Sequence, residues 1–285
     1  MAEVLRLRPV GWRRVARGGY TAAERWVVSL EDGSSVFAKV GVTGHTAGWL
    51  RAEHNVYAHV TADFLPPLLG WNDDGDRPVL LLEDLSDGEW PPPWSPERVD
   101  RVLETLDAIR MSRSPPALPD LETRRSELSA WVRVAEDPAA FLSINMASGS
   151  WLEAALLVLL EAEASARLKG HELLHLDVRS DNLCFLGART LLVDWNSACV
   201  GNARVDLAFW LPSLEQEGGP DPHAILPGEP ELAAFVAGYF AGRTGLPPID
   251  DAPRVRGVQL SQLRSALPWA CRELGVPPPD GPPRS

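Results

Sequence analysis

One 24-residue segment, Leu173–Asn196, constrains the fold of this chain more than any other; it reads LLHLDVRSDNLCFLGARTLLVDWN. Two short apolar runs on either side of a Gly-Ala-Arg turn predict a tight antiparallel hairpin. Asn182 immediately precedes the first strand and Asp194 follows the second, so we expect them to face each other about 5 Å apart. An amide oxygen and a carboxylate at that separation suit Mg²⁺. With Asp177 one loop upstream, the layout is typical of a phosphoryl-transfer site.

The order His175, Asp177, Asn182 and Asp194 resembles the catalytic and metal-binding loops of the protein-kinase superfamily. It is most similar to the aminoglycoside phosphotransferase-like (APH) branch, whose acceptors are small molecules. In that branch the middle residue of the usual His-Gly-Asp is glycine, and here it is Leu176.

Two further positions compare with the branch. A carboxylate usually follows the metal-binding Asp by two residues, and here that position is Asn196, which puts a second metal position in doubt. An acidic residue usually begins the next helix, and Asp206 matches it. The resemblance implies that Asp206 ties down the catalytic loop, although a residue near a helix start can equally be a cap.

The resemblance also implies roles for the loop residues. Asp177 would orient the acceptor hydroxyl and accept its proton, while Asn182 and Asp194 would bind Mg²⁺ that bridges the phosphates of ATP or GTP. Arg179 would contact the γ-phosphate, or else bridge to Asp181 or solvent. His175 is expected to order the loop through hydrogen bonds rather than to titrate.

Lysine is scarce in this chain, since Lys39 and Lys169 are the only two. Lys39 lies inside the strand pattern SSVFAKV, where the ordinary interpretation is an edge lysine that reaches solvent. The following helix has Trp49, Val56, Tyr57 and Val60 on one apolar stripe, and Glu53 falls on that stripe. A core-facing carboxylate needs a cationic partner, because leaving it unpaired costs on the order of 3–5 kcal/mol. We therefore predict a Lys39–Glu53 pair, the superfamily's device for holding nucleotide phosphates.

The N-terminal pattern predicts a small antiparallel sheet, with strands at 13–16, 25–30, 68–72 and 78–82 besides the Lys39 strand. The first loop, with Gly18 and Gly19, takes the place of a glycine-rich phosphate cover, or its glycines simply make the turn. Glu83, Asp84 and Leu85 resemble the hinge between lobes, where backbone groups would bind adenine.

Beyond the Pro-rich segment 86–96 the chain is predicted to be helical, with amphipathic patterns at 97–110, 121–135, 151–168, 204–214, 231–243 and 253–274. The expected fold class is α+β, a bilobal protein-kinase-like fold. We predict an N-terminal nucleotide-binding lobe at 1–85 and a helical lobe with the catalytic hairpin at 86–276. A disordered Pro-rich tail is expected at 277–285.

Composition limits the partners. The formal net charge of −12 argues against nonspecific binding to nucleic acid or to an anionic membrane. The N-terminus lacks an apolar signal region, and no apolar stretch reaches spanning length. Cys184, Cys199 and Cys271 have no metal-ligand spacing and are interpreted as core thiols in a reducing cytoplasm. Monomer and homodimer both stay open.

Three functions are consistent with these patterns. The first is ATP- or GTP-dependent phosphorylation of a hydroxylated small molecule, such as an antibiotic, sugar, amine alcohol or biosynthetic intermediate. The acidic segment 215–221 slightly favours an aminoglycoside-like acceptor. The second is phosphorylation of a peptide or protein, although only 11 residues separate Asp194 from Asp206, too few for a regulated activation segment. The third is a noncatalytic nucleotide- or partner-binding role, which Leu176 and Asn196 keep open.

Overall fold

The computed structural model describes residues 7–15, 23–249 and 252–281. The strands are β1 Pro9–Arg14, β2 Glu24–Leu30, β3 Ser35–Val40, β4 Leu68–Asn72, β5 Val79–Glu83, β6 Glu172–Leu174, β7 Leu183–Leu186, β8 Arg189–Leu192 and β9 Cys199–Gly201. The α-helices are α1 Gly44–His59, α2 Pro96–Met111, α3 Arg125–Leu128, α4 Trp131–Glu136, α5 Ala139–Ser143, α6 Gly149–Ser165, α7 Arg204–Gln216, α8 Pro222–Ile225, α9 Pro230–Thr244 and α10 Val255–Leu274.

The contacts of the chain divide it into two compact units. The first, here called the sheet unit, comprises residues 1–92, 100–119 and 172–200, and the second, the helical unit, comprises 93–99, 120–171 and 201–285. This division places the catalytic hairpin with the sheet, whereas the sequence placed it with the helices. The lobe boundary at residue 85 remains a prediction.

The sheet unit is built on an antiparallel sheet in the order β1-β2-β3-β5-β4. Its β2–β3 hairpin turns at Gly33, which has φ +85°, and Asp32 accepts hydrogen bonds from the backbone and side chain of Ser34. The first strand was predicted at 13–16 but begins at Pro9. Its sequence, PVGWRR, is mostly exposed and carries little alternation, so the pairing with β2 sets its position.

The two faces of this sheet have different chemistry. Val28, Val36, Ala38 and Leu81 form a buried apolar cluster on one face. Because side chains alternate along a strand, Lys39 lies on the opposite face.

Helix α1 begins at a capping box, in which Thr43 and Thr46 satisfy each other's backbone N–H groups. Its buried side includes Glu53, Val56 and Tyr57, as the apolar stripe predicted, and also Leu50. Trp49 is the exception, since 44% of it is exposed.

The helical unit departs from the sequence prediction at one long helix. A single helix was predicted at 121–135, but the chain forms a 3₁₀ turn at Leu121–Arg124, then α3 and α4. The break occurs at Ser129, which has extended backbone angles. Just beyond it, the carboxylate of Glu163 in α6 accepts the backbone N–H groups of Ala130 and Trp131. These amides form the start of α4, so a buried side chain replaces the helical hydrogen bonds.

Other helices of this unit fall close to the predicted ranges, while the short α5, α8, β6 and β9 were not predicted. The described part of the predicted disordered tail makes several hydrogen bonds. Asp280 accepts from the backbone and hydroxyl of Ser148, and the Pro277 carbonyl accepts from the Trp151 indole. Residues 282–285 lie outside the described residues. Within the described ranges no helix combines the length and apolarity needed to cross a bilayer.

Candidate active site

The catalytic hairpin is one residue tighter than its sequence suggested. A three-residue turn was expected, but β7 and β8 are joined by Gly187 and Ala188 alone, with Gly187 at φ +58°. A positive φ at the first position of a two-residue loop favours glycine and matches the twist of the strands. Leu183 consequently pairs with Leu192, and Asn182 accepts a backbone hydrogen bond from Val193 rather than facing Asp194.

Asp177 is held by its neighbours in the loop. The Asn182 amide donates to both the carbonyl and the Oδ2 of Asp177, at 2.9 and 3.0 Å. Arg179 Nε lies 3.0 Å from Asp177 Oδ1, while another nitrogen of Arg179 contacts Asp181 at 3.2 Å. The bridge to Asp181 is the alternative that the sequence left open for Arg179. The contact with Asp177 was not anticipated.

The Asp177 carboxyl has an unusual affinity for protons. Burial raises its pKa to about 7, Asp194 and Asp181 act in the same direction, and Arg179 opposes them. Its side chain is nevertheless 37% exposed, so a substrate can reach it. A carboxyl poised near neutrality and open on one side suits proton transfer.

His175 is fully buried and neutral. Burial lowers its pKa to about 4. Its Nε2 donates to the Val193 carbonyl at 2.9 Å, and its Nδ1 accepts the Asp177 backbone N–H at 3.2 Å. The Trp195 ring packs edge-on against it at 4.5 Å. With both nitrogens engaged, His175 fixes the loop that carries Asp177.

Lys39, Glu53 and Asp194 form a buried ion cluster. The Lys39 ammonium lies 2.6 Å from Glu53 Oε2, which is the predicted pair, and 2.7 Å from Asp194 Oδ1. Burial opposes the charge of Lys39, but the two carboxylates outweigh it and raise the lysine's pKa. Burial raises the pKa of Glu53. For Asp194 burial acts upward too, but Lys39 prevails and lowers the pKa.

The backbone at Asp194 turns sharply to make this contact. Asp194 has φ +69° and ψ +53°, the left-handed conformation that Asp tolerates better than most residues. Asn196 donates to the same Oδ1 that Lys39 contacts, and its own Oδ1 accepts from Ser197. An amide suits this position because it can donate to Asp194, whereas a second carboxylate here would repel it.

The donors at the site fit a hard divalent cation. The Oδ2 of Asp194 and the Oδ1 of Asn182 accept no hydrogen bond from the described part of the chain. Such oxygens are the ligands that Mg²⁺ prefers, and a kinase-type site leaves the remaining positions to water and phosphate oxygens. Among the described residues, no three His, Cys, Asp or Glu side chains come together as a metal-binding group.

The predicted hinge also has defined contacts. Glu83 pairs with Arg189 at 2.9 Å, and Asp84 accepts from the hydroxyls of Ser35 and Ser86. These side chains are therefore occupied, which leaves only the backbone of Glu83, Asp84 and Leu85 for the predicted adenine contact.

The other predicted site residues are Gly18, Gly19 and Asp206. Gly18 and Gly19 fall outside the described residues. Asp206 is buried in the first turn of α7 in the helical unit, so its tie to the catalytic loop stays a prediction. Trp195, which follows Asp194, is fully buried and donates to the Leu192 carbonyl.

Arg25 lies close to a predicted site residue, although the sequence patterns did not indicate it. In β2 it stands directly across from Lys39 in β3. The signal was present, because the turn at Asp32 and Gly33 fixes which residues of the two predicted strands oppose each other.

Comparison with known proteins places these observations in a family. The chain matches the APH phosphotransferase enzyme family over residues 12–256. No curated protein sequence gives a significant match.

Solved structures agree in fold. A choline/ethanolamine kinase family protein from Mesorhizobium loti has a TM-score of 0.57 at 16% identity, covering 93% of this chain and 92% of that one. An aminoglycoside phosphotransferase from Alicyclobacillus acidocaldarius gives 0.55 at 16%, covering 95% and 93%. An ethanolamine kinase from Plasmodium vivax gives 0.58 at 9%, covering 92% and 84%. These likenesses confirm the predicted α+β, protein-kinase-like fold.

Proposed function

This chain belongs to the APH phosphotransferase enzyme family, and on that premise we propose that it transfers the γ-phosphoryl group of ATP or GTP to a hydroxyl of a small molecule. The observation that carries the proposal is Asp177, a partly exposed carboxyl with a pKa of about 7. A carboxyl with this pKa can take a proton from an acceptor hydroxyl near neutral pH.

In the proposed reaction Asp177 first orients the acceptor hydroxyl, with Asn182 and Arg179 holding its carboxylate in place. The acceptor oxygen forms a bond to the γ-phosphorus as the bond from that phosphorus to the bridging β–γ oxygen breaks. The acceptor proton passes to Asp177, and the nucleoside diphosphate leaves.

The ion cluster serves the nucleotide in this account. Lys39 holds the α- and β-phosphates, and Glu53 keeps the ammonium in position from α1. Asn182 and Asp194 would hold Mg²⁺, which when bound would neutralise charge on the phosphate oxygens. His175 keeps the loop in shape and takes no part in proton transfer, since its low pKa leaves it neutral.

The acidic segment 215–221 was the reason for an aminoglycoside preference, but its carboxylates already have partners in the helical unit. Glu217 accepts from the Trp94 indole, and Asp221 accepts from the His223 backbone and contacts Arg272. Amine alcohols, sugars and aminoglycosides are therefore equally good candidate acceptors. We expect the protein to act in the cytoplasm.

The test is Mg²⁺-dependent release of ADP or GDP across a panel of acceptors. The panel holds aminoglycosides, choline, ethanolamine, sugars, nucleosides and a generic peptide. We expect one small-molecule class to stimulate release at least tenfold over the no-acceptor rate, with phosphate recovered on that acceptor.

Two results would contradict the proposal. Stimulation by the peptide alone would make the protein a peptide kinase. Failure to bind ATP or GTP in a direct titration would favour a noncatalytic use of the fold.

A further inference from the structure

Arg25 occupies a position that the family resemblance does not explain. In the antiparallel β2–β3 ladder the Cα atom of Arg25 is paired with that of Lys39. Directly opposed residues of an antiparallel pair project from the same face, with Cβ atoms about 4.5–5.5 Å apart. Arg25 therefore shares the face of the sheet on which Lys39 meets Glu53 and Asp194.

The sheet register puts Arg25 on the side of the sheet where Lys39 meets Glu53. Its charge also acts on Glu53. Burial is the largest influence on the pKa of Glu53 and raises it, while Lys39 and Arg25 act to lower it.

Two like charges directly opposed across a strand pair are unfavourable. Here the cost is offset by the two carboxylates, so that Lys39, Arg25, Glu53 and Asp194 form a set with no net charge. Lys39 alone would leave one negative charge uncompensated, because it faces both Glu53 and Asp194, so Arg25 completes the charge balance of this face.

A bound nucleotide would give this second cation a further role. The polyphosphate of ATP brings about four negative charges, and a guanidinium presents donors in a fork that matches phosphate oxygens. We propose that Arg25 is a second phosphate-binding cation of the nucleotide site, acting beside Lys39 across the β2–β3 ladder. This inference rests on the proposed function.

The experiment measures nucleotide affinity by calorimetric titration, in wild type and in Arg25→Gln, Arg25→Lys and Arg14→Gln. Each protein is titrated with ATP and ADP in Mg²⁺ and with adenosine. Arg14 is the matched control, because it pairs with Trp26 and lies on the opposite face, with its guanidinium 6.0 Å from the Trp26 ring.

We expect Arg25→Gln to weaken ATP and ADP binding by about tenfold or more and to change adenosine binding by less than about twofold. Arg25→Lys should retain most of the affinity, since it keeps the charge, and Arg14→Gln should match wild type. The split between phosphate-bearing and phosphate-free ligands separates phosphate binding from a structural role, which would move all three ligands together.

The inference is overturned if Arg25→Gln changes ATP and adenosine affinities by the same factor, or if it behaves like Arg14→Gln. Wild-type protein that binds neither ATP nor adenosine would overturn the proposed function itself, and the inference with it. Thermal unfolding of each variant checks that the comparison is made between folded proteins.

Discussion

Glu53 in the sheet unit and Glu163 in the helical unit are both only 2% exposed, and each sits on the buried side of a long helix. Their partners differ. Glu53 meets the Lys39 ammonium, in contact with Asp194. Among the described residues, the Glu163 carboxylate accepts hydrogen bonds from backbone N–H groups alone, those of Ala130 and Trp131. The same residue type thus serves a charged cluster in one unit and a helix start in the other.

The partner of a buried carboxylate determines which of its protonation states is favoured. Backbone amides satisfy Glu163 but do not balance its charge, so burial raises its pKa to about 7 and the neutral form is favoured. Glu53 is balanced by the cation of Lys39, for which we propose a role in nucleotide binding. A buried acid with a charged partner therefore indicates a functional site, and a buried acid with only amide partners indicates a structural role.

The largest effect on activity should come from a substitution of Asp177 in the candidate active site. Asp177→Asn should lower phosphotransfer by about 10²–10⁴-fold and leave nucleotide affinity nearly unchanged, because the amide keeps the shape but cannot accept the proton. Single-turnover kinetics and nucleotide titration on the same preparation measure both. Activity equal to wild type would remove Asp177 from the mechanism.

The two glutamates can be compared directly by the same substitution. Glu53→Gln should lower kcat/KM for the nucleotide by about 10–100-fold, since the amide leaves Lys39 with a weaker anchor. Glu163→Gln should change it by less than about twofold. If both variants lose activity equally, the distinction between a site acid and an architectural acid fails.

The stability of the fold should depend on the protonation state of Glu163. The folded pKa of Glu163 lies above its ordinary value of 4.5, so folding favours the protonated form. The contribution of Glu163 to the free energy of unfolding should therefore be fully present below about pH 4.5 and be lost as the pH rises to about 7. Denaturant unfolding of Glu163→Gln should lack this component. An identical pH dependence in wild type and variant would contradict the account.

The smallest effect is expected at Tyr57, one turn beyond Glu53. Its hydroxyl is buried and has no hydrogen-bond partner among the described residues. Tyr57→Phe removes an unsatisfied group and should leave the unfolding free energy unchanged or raise it by about 1 kcal/mol. A loss of nucleotide affinity instead would show that this hydroxyl meets a ligand or water at the site.

The sequence supported the Lys39–Glu53 pair because two independent patterns met there. Helical periodicity placed Glu53 among buried residues, and a near absence of lysine made Lys39 conspicuous. The hairpin was predicted too, but its register was off by one residue. Whether Arg189 belongs to the turn or to β8 depends on the backbone conformation at Gly187, which composition does not settle.

Glu163 could not have been predicted. Its partners are backbone amides at Ala130 and Trp131, more than 30 positions earlier in the chain, and amides carry no sequence signature. The close approach of α9 depends equally on tertiary packing, since a Cβ at Gly238 would collide with Glu163 Oε1. The charged site left traces in residue type, whereas the amide-bound acid did not.

The pH dependence of kcat/KM for the nucleotide, at low acceptor concentration, tests the central claim about Asp177 most directly. Activity should rise with pH through about 7, since only the ionised carboxylate accepts a proton. Arg179→Gln should move the midpoint up and Asp181→Asn should move it down, because Arg179 lowers the pKa of Asp177 and Asp181 raises it. A profile without an inflection near neutrality, or midpoints that move in the same direction, would contradict the assignment of Asp177 as the base.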